Sequence, residues 1–111
     1  MKRLEEEFKK VGFNFKLERD LGEWRIYTRW SDGGLAPHFE LIKPTVSDAQ
    51  FIDGKFQKGG EPHEVYPPDS QWGVKGFTTM TVYQALAMHG DILEEERLRE
   101  ERKNQASQLE W

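Results

Sequence analysis

Apolar and polar positions alternate over residues 13–19, with Phe13, Phe15 and Leu17 pointing one way and Asn14, Lys16 and Glu18 the other. A period of two is the mark of a half-buried strand. A second alternating run covers residues 24–30: Trp24, Ile26, Thr28 and Trp30 share one face, and Arg25, Tyr27 and Arg29 the other. A third covers residues 38–43, with Phe39 and Leu41 inward, His38, Glu40 and Ile42 opposite, and Pro44 as the stop. Asp20-Leu21-Gly22 and Ser31-Asp32-Gly33-Gly34 are turn signals between the runs. Three strands on short turns predict an antiparallel meander.

Helical spacing predicts the remaining elements. Leu4, Phe8 and Val11 recur at i, i+4 and i+7, so residues 3–11 are expected to form a short helix ending at Gly12. Asp53-Gly54 between Phe51-Ile52 and Lys55-Phe56 is a two-residue hairpin signal. Thr81-x-x-Gln84 has capping-box spacing, and Val82, Ala85, Leu86 and His89 form an apolar stripe behind it. A break is expected near Gly90, then a new helix over about 92–106 starting from the second capping-box candidate, Asp91-x-x-Glu94. The fold class is α+β: an antiparallel sheet of about four strands, with the N-terminal helix and the 80–89 helix on one face. Residues 1–90 are expected to form one domain, and 91–111 a charged helical tail. Phe13, Phe15, Leu17, Trp24, Ile26, Phe39, Leu41, Phe77, Val82 and Leu86 are the expected core, with Leu4 and Phe8.

Composition narrows the function classes. Seven Phe, four Trp and three Tyr in 111 residues give an aromatic-rich core, and the net charge of -4 argues against a phosphate-gripping domain. The absence of cysteine excludes disulfides and thiolate chemistry. The charged first ten residues do not read as a secretory signal, and no apolar run is long enough to span a bilayer, so no membrane partner is expected and the expected location is the cytosol of the host cell.

Candidate chemistry is sparse. No P-loop, G-x-G-x-x-G or nucleophile elbow occurs, so the chain is expected not to be an enzyme and to need no cofactor. His38, His63 and His89 are the residues of a metalloenzyme alternative, but no spacing brings two of them together, and no metal site is expected. Arg25, Tyr27 and Arg29 on one sheet face could act as a stacking platform for nucleic acid, the second alternative, and the helix–strand–strand–strand–helix order resembles double-stranded-RNA-binding domains in element order alone. Partner-binding candidates are the terminal-helix acids Glu95, Glu96, Glu100 and Glu101, with Tyr66 and Trp72 of the stiff loop 65–73. Trp111 is a further candidate anchor.

One layout is distinctive. His38-Phe39-Glu40 is followed by Glu64-x-Tyr66-Pro67-x-Asp69-x-x-Trp72-Gly73, then Gly76-Phe77-Thr78-Thr79 and a helix carrying Ala85. Over roughly residues 36–90 this resembles a group of small uncharacterised phage and mobile-element proteins, with Trp72 where that pattern has Phe and Phe77 where it has Tyr or Trp. The resemblance implies a setting in which a small acidic protein inhibits or modulates a host protein, such as a basic nucleic-acid-binding defence nuclease, in the manner of an anti-defence or anti-CRISPR factor.

Overall fold

The computed structural model describes residues 1–34 and 36–109, with no side-chain description for 107–109, so the expectation for Trp111 lies outside the described residues. Among the described residues nine strands are present: β1 (Glu7–Lys10), β2 (Phe13–Asp20), β3 (Arg25–Trp30), β4 (His38–Ile42), β5 (Thr45–Ser47), β6 (Gln50–Ile52), β7 (Lys55–Gln57), β8 (His63–Val65) and β9 (Gly76–Thr79). An α-helix, α1 (Val82–Leu109), follows them. The main sheet is antiparallel and five-stranded, in the order β1-β2-β3-β4-β9. The chain between β4 and β9 loops out to make two small sheets, β5 with β8 and β6 with β7. The expected meander is therefore present, with one strand more than expected.

Residues 3–11 are not helical. β1 pairs with β2 so that Phe8 faces Phe15, their rings stacked at 4.8 Å between centroids. A nine-residue helix has little stability of its own, and this cross-strand ring pair outweighs the helical spacing. The hairpin closes through Val11 and Gly12, both left-handed at φ 50 and 80. Losing that helix also removes the likeness in element order to double-stranded-RNA-binding domains.

Both faces of the sheet are covered, so the core is double. On one face Trp24, Ile26 and Leu41 pack with Ala85 of α1, joined by Phe39, Phe77, Val82 and Leu86. On the other, Phe15, Tyr27 and Ile42 pack with Leu4, Phe8, Leu17, Tyr66 and Trp72. The register explains the split: Phe15 pairs with Arg29 and Leu17 with Tyr27, which puts the apolar side of β2 opposite Trp24 and Ile26. The single expected core is thus two layers. Phe13, at the end of β2, is half-exposed and outside both.

The α1 helix begins with a reciprocal capping box. Thr81 Oγ1 accepts from the Gln84 N–H at 3.1 Å, and Gln84 Oε1 accepts from the Thr81 N–H at 3.2 Å. The helix then runs unbroken through Gly90 for 28 residues, contrary to the expected break. A lone glycine weakens a helix by only about 1 kcal/mol, and Met88 and Ile92, which pack on the sheet on either side of it, hold that turn. From Leu93 to Ala106 every side chain is exposed. Arg97 pairs with both Glu94 and Glu101 at 2.6 Å, and Arg99 with Glu95 at 3.5 Å. No helix is long and apolar enough to cross a membrane among the described residues.

Candidate functional site

The side of the sheet away from α1 carries Glu40, Glu64, Tyr66, Trp72 and Thr78 of the distinctive layout, whereas its Phe39, Phe77 and Ala85 pack on the α1 side. Glu64 of β8 reaches over β3 and forks the Arg25 guanidinium, at 2.7 Å to Nη1 and 2.9 Å to Nη2. Glu64 Oε1 also accepts the Leu4 N–H at 2.9 Å, and the Tyr27 hydroxyl donates to the Glu5 carbonyl at 2.9 Å. The N-terminal segment is thereby strapped across Arg25 and Tyr27. Charge-assisted bidentate pairs are roughly twice as strong as neutral hydrogen bonds. This one holds the Glu64 carboxyl below the ordinary range, chiefly through its bond from Arg25, and raises the Arg25 guanidinium through the same bond.

Two residues on, Tyr66 lays its ring among Phe8, Phe15 and Tyr27 and donates its hydroxyl to Glu40 Oε1 at 2.7 Å. The other Glu40 oxygen accepts the Thr78 hydroxyl at 3.1 Å, and Thr78 in turn accepts the Trp72 indole N–H at 3.3 Å. Arg29 Nη1 stands 3.6 Å from Glu40, whose side chain is 4% exposed. Burial pushes the Tyr66 phenol well up, and the adjacent Glu40 carboxylate adds to it. Burial likewise raises Tyr27. Pro67 is fully buried, and the tandem prolines lead into a single 3-10 turn, Asp69–Gln71, that delivers Trp72. A Cβ on Gly76 would run into the Trp72 ring, so glycine there is what lets the indole lie flat on β9.

This network forms the floor of an open cleft of about 440 Å³. Phe15, Tyr66 and Trp72 are its aromatic wall, and Val11 and Phe13 its outer lip. Lys10 Nζ lies 5.4 Å from the centre of the Tyr66 ring, and the Arg29 guanidinium 4.7 Å from that of Phe13. Asp69 lies on the rim. Val11 is the unusual member. It is 85% exposed and held at φ 50, a region costly for a β-branched residue.

The expected site residues divide. Tyr66 and Trp72 both belong to the cleft, part-buried, as loop locks and as wall. Glu95 and Glu96 lie beyond the opposite face, lining a smaller cavity of about 350 Å³ with Trp24, Lys75 and Arg99. Glu100 and Glu101 are exposed farther along the helix. The acids and the two rings therefore do not form one surface, and over residues 94–103 five carboxylates stand against four cations. Arg25 and Tyr27 share a face with Arg29 as expected, but that face is not solvated: Arg25 and Tyr27 are buried beneath the N-terminal strap and β8. Only Arg29 of the three reaches the cleft. His38, His63 and His89 sit on β4, β8 and α1, and among the described residues no group of three or more His, Asp or Glu side chains is placed to hold a metal ion.

Lys10, Val11, Phe13 and Thr78 were not among the expected site residues. Gly12, directly before the alternating run that begins at Phe13, is the signal that could have placed a turn, and hence the lip, there. Neither a family model, nor a curated protein, nor a solved structure matches this chain. Fold and site define a two-faced α+β domain with a preorganised aromatic cleft.

Proposed function

We propose that this chain is a non-enzymatic binding protein that docks on a protein partner through the aromatic cleft and its Val11–Phe13 lip. The observation that carries the reading is Val11. A left-handed β-branched residue costs the fold about 1–2 kcal/mol, and an exposed side chain recovers none of it by burial. Asparagine or glycine would close the same turn without strain. A strained apolar side chain at the mouth of an aromatic cleft makes sense if a partner packs on it. The state of Glu40 supports the same reading: its oxygens accept from Tyr66 and Thr78 beside Arg29, so it serves as a rigid floor. The resemblance supplies the proposed setting, a phage or mobile-element protein that modulates a host protein such as a defence nuclease in the cytosol. The acidic positions Glu95, Glu96, Glu100 and Glu101 are a secondary contact in this proposal.

A second reading keeps nucleic acid as the ligand, favoured by Arg29 and Lys10 beside stacked rings. It requires affinity for oligonucleotides that falls with salt.

The test is affinity capture from the producing cell with the wild-type chain and with Val11→Asn. A stoichiometric protein recovered by the first and depleted with the second supports docking at the lip. Equal recovery by both contradicts it.

A further inference from the structure

The β6–β7 hairpin is another place where this chain shows apolar surface to water, and there two aromatic rings are exposed side by side. Phe51 and Phe56 are cross-strand partners whose rings meet edge to face at 5.1 Å, yet they are 64% and 80% exposed. Ile52 beside them is also exposed. The two strands pair only with each other. The turn is well specified, with Asp53 and Gly54 at φ 51 and 76, and the base is pinned where Asp48 accepts the N–H groups of Gly59 and Gly60. A short hairpin with a solvent-facing aromatic pair is a preformed knob, and paired rings exposed in this way mark an interaction surface.

We propose that the free protein pairs with itself, the β6–β7 hairpin of one copy seated in the aromatic cleft of a second. This rests on the reading of the cleft as a docking site and adds what fills it. Rings meet rings: Phe51 and Phe56 would enter a space of about 440 Å³ walled by Tyr66 and Trp72. Charges match in both directions. The hairpin tip carries Asp53 and Lys55, and the cleft lining includes Lys10 and Asp69, with Arg29 beside Glu40. Each copy holds one knob and one cleft, so two reciprocal contacts close a twofold pair with no open end. The arrangement also gives Val11 and Phe13 a cover in the absence of any other partner.

The experiment is sedimentation velocity on the purified chain across a concentration series, with two surface variants shown by circular dichroism to be folded. The hairpin variant is Phe51→Ser with Phe56→Ser, and the cleft variant is Lys10→Glu with Phe13→Ser. The wild type is expected to dimerise reversibly, and each variant to dimerise roughly thirtyfold or more weakly, the loss typical of a central aromatic contact. Mixing the two variants is expected to restore a dimer, because one intact hairpin then meets one intact cleft. A wild type that stays monomeric at every concentration overturns the proposal, as does a dimer that survives the hairpin variant or a mixture that fails to associate. A monomer that still captures a protein through Val11 defeats self-pairing and leaves the docking role of the cleft standing.

Discussion

Glu64 and Arg25 lie 39 residues apart in the chain and meet through two parallel hydrogen bonds of 2.7 and 2.9 Å, a fork that ties β8 and the N-terminal strap onto the centre of the sheet. Their side chains are 19% and 5% exposed, so each charge depends on the other. Glu64→Gln leaves a buried guanidinium with a neutral partner, and removing one member of such a pair costs about 3–5 kcal/mol. Urea denaturation should show that loss. Adding Arg25→Met to Glu64→Gln should recover part of it, because the buried charge is then gone.

Acid should unfold the protein partly through the same pair. Glu64 and Asp20 titrate below their ordinary values of 4.5 and 3.8, Glu64 because Arg25 holds it and Asp20 because it accepts bonds from Arg3 and the Gly22 N–H. The unfolded chain therefore binds protons at a higher pH than the folded one. The stabilisation is fully present above the ordinary carboxylate values and is lost as pH falls through the lower folded ones. Denaturation free energy measured from pH 7 down to 2 should decline below about pH 5, and Glu64→Gln should flatten the decline.

Alkali should act through the tyrosines. Tyr27 and Tyr66 are raised above their ordinary value of 10.0, both by burial and Tyr66 also by Glu40. Here the sign reverses: the stabilisation is present below pH 10 and is lost as pH rises past it, because only the unfolded chain ionises readily. Tyrosinate absorbance should show two of the three tyrosines ionising together with loss of the circular dichroism signal. Tyr66→Phe should shift that loss to higher pH, while lowering stability near neutrality by about 1–3 kcal/mol because Glu40 loses a donor.

Gly76→Ala should loosen the cleft from behind. The added methyl meets the Trp72 ring, which must swing off β9 and give up its bond to Thr78. A loss of about 1–3 kcal/mol is expected, with a red shift in tryptophan emission as the indole meets water. An unchanged spectrum would count against the wall described for Trp72.

Much of the sheet was legible because its information is local. The alternation in residues 13–19, 24–30 and 38–43, the Asp53-Gly54 turn and the Thr81–Gln84 box each act within a few residues, and all are found. What was not legible depends on distant partners. Phe8 is a helix residue by spacing and a strand residue once Phe15 stacks on it. Arg25 and Tyr27 read as a solvated face until Glu64 and the N-terminal strap cover them. Gly90 reads as a break until packing on either side carries the helix through. For the site, Tyr66 and Trp72 were visible as large rings on a stiff loop, whereas Val11 gave no signal, since its importance lies in a backbone angle that composition does not encode.

The measurement that bears most directly on the cleft as a docking surface is the paired effect of Val11→Asn on stability and on partner affinity. Relief of the left-handed strain should raise the unfolding free energy by about 1 kcal/mol, while affinity for the captured partner falls by tenfold or more, a loss on the scale of a hot-spot residue. A variant that gains stability and keeps full affinity would contradict the account, because the strained valine would then serve nothing that the cleft does.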